Sequence, residues 1–150
     1  MVYGLLALAA VMFGLYNVFI KLSANHIQAV LGAVVLQFVA AFVGLGLLFY
    51  IRGTGAEPLH ASVRGILLAV LAGVAIGLVE VLTFMVFSQG FPVAVANPLV
   101  VGGSLLVTTT VGVVLLRETA NPLQLAAIIM IAVGIGLLAL GAGRGAPLSR

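Results

Sequence analysis

Apolar residues run through this 150-residue chain in five long blocks, and polar residues gather in the short gaps between them. The blocks cover about Val2 to Leu22, Ala29 to Ile51, Gly65 to Phe87, Pro92 to Leu116 and Leu123 to Leu140. A helix of roughly twenty apolar residues at 1.5 Å each spans about 30 Å of hydrocarbon, and each block is about twice the length a membrane strand needs. No block carries a hydrophilic stripe, as expected where lipid replaces water around a bundle. The pattern predicts an all-α membrane protein with five transmembrane helices within residues 1–141, its termini on opposite sides, and a polar tail at 142–150. Proline chemistry agrees with the breaks. Pro92 and Asn121-Pro122 can open the fourth and fifth helices, whereas Pro98 lies inside the fourth, where it must free a carbonyl and bend the chain.

Composition removes the soluble alternative. The chain is 64% hydrophobic and 6% charged, with a mean hydropathy of +1.40, whereas a soluble domain has roughly a quarter of its residues charged. Six basic and three acidic residues give a net +3, too sparse to neutralise a run of phosphates, so nucleic acid is not an expected partner. The absence of cysteine excludes disulfides and thiolate chemistry. His26 and His60 stand far apart without companion ligands, so neither a metal nor another cofactor is expected. There is no phosphate-cradling loop, activated serine or paired carboxylate, and an enzyme is not expected either. The first block starts at Met1 with no basic region before it, which reads as a retained helix rather than a cleaved leader. Alternating crossings put Arg52, Arg64 and Arg117 on the side of Met1 and Lys21, Arg144 and Arg150 on the other. This balance suits a chain that inserts both ways, while the short Arg52 to Arg64 loop favours the Met1 side as cytoplasmic.

The informative residues are the polar ones inside the blocks. Measured from each helix centre, Asn17 lies roughly 7 Å and Lys21 roughly 13 Å toward the side opposite Met1, with Gln37 about 5 Å, Glu80 about 6 Å, Thr83 about 10 Å and Asn97 about 10 Å the same way. Helices of opposite direction thus place polar groups in one half of the bilayer. Glu80 is the only acid inside a block, and at that depth it must be paired, protonated or opened to a wet cavity. It reads as a proton- or cation-coupling site, or as a fixed ion pair with Lys21 joining the first and third helices. Lys21 can also snorkel to headgroups or meet an anionic substrate. Asn17, one turn before Lys21, shares its face, and Asn97 with the kink at Pro98 can line a cavity. Thr108, Thr109 and Thr110 are expected to back-bond and pack. Gly14, Gly73 and Gly77 are expected to mark helix contacts, and Gly134 and Gly136 a lipid- or subunit-facing fifth helix.

The stretch Gly14-Leu15-Tyr16-Asn17-Val18-Phe19-Ile20-Lys21, four further helices, and Leu115-Leu116-Arg117-Glu118 before a glycine-bearing last helix resemble one repeat of the drug/metabolite transporter superfamily, the EamA type. The resemblance covers nearly the whole chain and implies a half-size member. Full-length members pair two five-helix repeats of opposite topology around a cavity and export small metabolites. By position, the resemblance makes Arg117-Glu118 a structural junction after the fourth helix. It places Asn17 and Lys21 at the polar end of the first helix and Pro92 to Asn97 along the cavity. Glu80 is assigned no counterpart. The four-helix multidrug relatives form antiparallel dimers around a first-helix carboxylate that this chain lacks, so their cation export is not carried over.

The expected function is secondary transport of a small polar or amphiphilic metabolite by alternating access. The expected setting is a homodimer, antiparallel if the two copies insert oppositely, in a cell membrane of the bacterial inner-membrane kind. Glu80, Lys21, Asn17, Asn97 and Gln37 would serve substrate and coupling. The alternatives are a flippase subunit for a lipid-linked substrate and a non-transporting membrane partner.

Overall fold

A computed structural model of the chain describes residues 2–55, 60–119 and 121–145. These form α1 (Val2–Ala24), α2 (Ala29–Gly53), α3 (Val63–Ser88), α4 (Val93–Val114) and α5 (Pro122–Gly145). All five helices are long and apolar enough to cross a membrane, so the chain is all-α among its described residues and has the build of a multi-pass membrane protein. Of the tail expected at 142–150, residues 142–145 continue α5. Residues 146–150 lie outside the described residues, as do Glu57 and Pro58.

Caps explain most of the remaining boundaries. The Ser62 hydroxyl accepts from the Gly65 N–H at 3.0 Å, which starts α3 two residues before the apolar block. Gln28 accepts from Leu31 in the same way at the head of α2. At α5, Asn121 and Gln124 form a reciprocal box: the Gln124 N–H donates to Asn121 Oδ1 at 2.8 Å and the Asn121 N–H to Gln124 Oε1 at 2.9 Å. Pro122 follows as the first helical residue, where its missing N–H costs nothing.

The chain divides into two compact units, Met1–Gly90 and Phe91–Arg150. In the first, Tyr16 meets Glu80 and Lys21 meets Phe87, so α1 and α3 run parallel. Gln37 meets Gly77 while Gly32 meets Phe84, so α2 runs antiparallel to α3. The buried residues Asn17, Ile20, Ala24, Gly32, Ala33, Glu80, Phe84 and Phe87 all fall where α1 ends, α2 begins and α3 ends. The other halves of these helices present apolar side chains outward, among them Phe38, Phe42 and Phe49 of α2, a surface that only hydrocarbon would solvate without penalty.

In the second unit α4 packs on α5. A Cβ built on Gly102 would fall inside the side chain of Ile135, so the two helices approach as closely as glycine allows. Of the glycines expected at helix contacts, Gly77 faces the Gln37 side chain, whereas among the described residues nothing lies within 4 Å of a Cβ built at Gly14 or Gly73; the same holds at Gly134 and Gly136, while Gly32, Gly102 and Gly112 each face a side chain. The helical interval alone does not say which side of a helix is turned to its neighbour.

The fourth helix passes through Pro98 without a break. Because proline lacks an N–H, the Ala94 carbonyl loses its donor from four residues on. The helix stops at Val114, two residues short of the expected end, because its last bonds widen. Leu116 donates to Val111 at 3.1 Å and Glu118 to Gly112 at 3.0 Å. Between them Arg117 adopts a left-handed φ of 56°, a stop conformation that glycine usually supplies.

Two outcomes follow from these contacts. A Cβ at Gly32 would sit 2.6 Å from Phe84 Cε1, so Gly32→Val should destabilise the first unit by about 1–3 kcal/mol in reversible unfolding from mixed micelles. Unchanged stability would show that α2 and α3 do not meet there. Arg117→Gly should instead raise stability by up to about 1 kcal/mol in the same assay, and a loss would mean that the left-handed turn is not what ends α4.

Candidate functional site

A carboxylate in an apolar helix must find a hydrogen-bond donor from another segment, because its own backbone donors are already used in the helix. Glu80 finds Tyr16. The phenol O–H donates to Glu80 Oε2, and the carboxylate is only 3% exposed. Tyr16 is the functional residue that reading the sequence missed. A tyrosine in a long apolar run looks like ordinary lipid-facing bulk, but the rise of 1.5 Å per residue also puts it about 6 Å from the centre of the first block, level with Glu80.

Asn17, the next residue, is buried at 4% exposure, and its Nδ2 donates to its own helix at the Phe13 carbonyl, 2.8 Å away. This gives one amide N–H a partner within its own helix. Phe13 also stacks on Tyr16, with ring centroids 5.5 Å apart, which limits the rotation of the phenol. Gln37 reaches the Gly77 carbonyl at 3.5 Å, a long contact, one turn before Glu80 on α3. The expected grouping of Asn17, Gln37 and Glu80 is therefore brought to one stretch of the first unit.

Lys21 is placed at a different level. Its ammonium donates to the Phe87 carbonyl at 3.1 Å and lies 5.7 Å from the centroid of the Phe87 ring. Phe87 is two turns beyond Glu80, and its carbonyl is one of the last four of α3, which lack intrahelical donors. A cation there also meets the negative end of the helix dipole. The contact ties the ends of α1 and α3 together.

Beside these residues lies an open groove of about 430 Å³, lined by Tyr16, Phe19, Ser23, Ile27, Leu36 and Phe84 among others. Tyr16 thus has two neighbours, the groove and Glu80. The lining is mostly apolar, with the phenol and the Ser23 hydroxyl as its polar members, and Ser23 already donates to Ile20. Asn97 belongs to the second unit, half-buried and without a hydrogen-bond partner among the described residues. Glu118 and Arg117 sit in the link between α4 and α5, Glu118 carrying its carboxylate against Gly112. Among the described residues no three His, Cys, Asp or Glu side chains gather as a metal site.

The described fold is thus that of an all-α chain with five helices able to span a membrane and one buried carboxylate beside a groove. No protein-family model, curated protein or solved structure matches the chain.

Removing the Tyr16 hydroxyl should leave Glu80 buried and short of a donor. Tyr16→Phe is expected to cost about 1–3 kcal/mol of stability, and less in a Glu80→Leu background, since the two residues form one interaction. Equal costs in both backgrounds, measured as a double-mutant cycle in micelles, would show that the residues do not touch.

Proposed function

We propose that this chain is one half of a secondary transporter, working as a dimer by alternating access on a small amphiphilic or polar metabolite in a cell membrane of the bacterial inner-membrane kind. The observation that carries this reading is Glu80, a carboxylate buried in a potential membrane helix and held by a tyrosine that also lines a groove. An ionisable residue at that depth is expensive to bury, and such residues commonly mark ion or substrate pathways.

The arrangement suggests how coupling works. Tyr16 and an incoming proton or cation compete for the same carboxylate oxygen. When Glu80 takes the ion, the phenol loses its acceptor and can turn toward the groove, so the occupancy of Glu80 alters the surface that meets the solute. A ligand that favours one of two such states shifts the population between them. Lys21, at the closed ends of α1 and α3, keeps these helices in register.

The resemblance to a single EamA-type repeat supports the dimer. With five crossings the termini would lie on opposite sides, and two copies of inverted orientation would reproduce the symmetry that single-chain transporters obtain from internal repeats. The kink residue Pro98 and Asn97, in the cavity-lining position of that repeat, would give the fourth helix a bend and a polar contact. The apolar lining of the groove also suits the hydrocarbon portion of a lipid-linked solute, which is the second reading.

Reconstituted into proteoliposomes with an imposed pH gradient, the wild-type protein should dissipate the gradient when a transported solute is supplied from a panel of amino acids, small metabolites and lipid-linked sugars. Glu80→Gln should abolish that flux with helicity and reconstitution unchanged. Flux that survives the substitution would overturn the role of Glu80, and a wild-type protein inert to the whole panel would favour a non-transporting partner.

A further inference from the structure

The link between α4 and α5 carries a second groove, of about 440 Å³, lined by Thr109, Val113, Glu118, Thr119, Gln124 and Ile128 among others. It belongs wholly to the second unit and is independent of the transport reading. The left-handed φ of Arg117 and the bond from the Glu118 N–H to Gly112 turn the chain back over α4. The Glu118 carboxylate comes to rest where a Cβ on Gly112 would be only 2.8 Å from Oε2. Among the described residues this carboxylate has no hydrogen-bond or ion-pair partner.

The other polar groups are also uncommitted. Thr108 and Thr110 donate their hydroxyls back to Ser104 and Leu106, but Thr109, the one of these three that lines the groove, makes no such bond. Gln124 spends its Oε1 on the Asn121 N–H, which leaves its amide nitrogen as a donor. The groove reaches from Thr109, in the next-to-last turn of α4, to the first two turns of α5, toward the end of these two spans, where hydrocarbon would give way to headgroups.

The geometry points to a site for a phospholipid with a primary-ammonium headgroup, of the ethanolamine type. Its ammonium would donate to the Glu118 carboxylate and the Thr109 hydroxyl. Its phosphate would accept from the Gln124 amide and the Thr119 hydroxyl, and its chains would follow Val113 and Ile128. A trimethylated headgroup has no N–H to donate. A dissolved amine gains nothing from the apolar lining and meets a carboxylate screened by salt.

The test is native mass spectrometry of the full chain released from mixed vesicles of phosphatidylethanolamine and phosphatidylcholine. One phosphatidylethanolamine should be retained with about a fivefold preference, the scale of one hydrogen bond that the trimethylated headgroup cannot make. Glu118→Gln should remove the preference, and glycerophosphoethanolamine should not displace the lipid. Equal retention of both lipids by the wild type, an unchanged preference in Glu118→Gln, or displacement by the free headgroup would overturn the assignment. Thr109→Val, a near-isosteric change on the helix itself, should lower the preference about twofold. If Glu118→Gln loses its helicity, an unchanged preference in Thr109→Val overturns the assignment in its place.

Discussion

A carboxylate carried into an apolar helix has to be given a donor, and that requirement brings the first and third helices together. The donor is the Tyr16 phenol, so α1 must lie beside α3 with Tyr16 level with Glu80. Where helices are surrounded by lipid, the hydrophobic effect does not press them together, and close packing and polar contacts must do so. Lys21 on the Phe87 carbonyl, Gln37 near Gly77 and Phe84 against Gly32 are contacts of this kind. They gather at one end of the helices, while the opposite ends expose phenylalanine, leucine and valine.

The second unit is held by a different device. Gly102 admits Ile135, Gly112 admits the Glu118 carboxylate, and the Asn121 and Gln124 box starts α5 directly after the turn. Glycine here is needed for close approach, since neither residue has a positive φ. The strained position is Arg117, whose left-handed conformation directs Glu118 back toward α4. The turn leaves the Glu118 carboxylate against Gly112 and in a groove.

Much of this was legible in the residues. The five blocks bounded the five helices to within a few residues because an uninterrupted apolar run of spanning length has few other ways to satisfy its backbone. Depth arithmetic placed Asn17, Gln37 and Glu80 at similar levels, and they do share one stretch of the first unit. It did not identify the partner of Glu80. Charge favoured Lys21, but Lys21 is five residues beyond Tyr16 and so meets α3 two turns further on, at Phe87. The glycine contacts were legible only as a class: Gly77 faces a neighbour and Gly73 does not, because the rotation of each helix about its axis is set by tertiary packing that a uniformly apolar sequence does not encode. The turned carboxylate of Glu118 depends on one backbone angle at Arg117, which no periodicity reveals.

The most direct test is a solid-state NMR carbon correlation between Tyr16 Cζ and Glu80 Cδ in lipid bilayers. The account predicts a cross-peak between these two carbons, which disappears when either residue is replaced. Resolved signals without that cross-peak, or a Glu80 Cδ correlated with Lys21 Cε and not with Tyr16, would contradict the register of α1 and α3 on which the site rests.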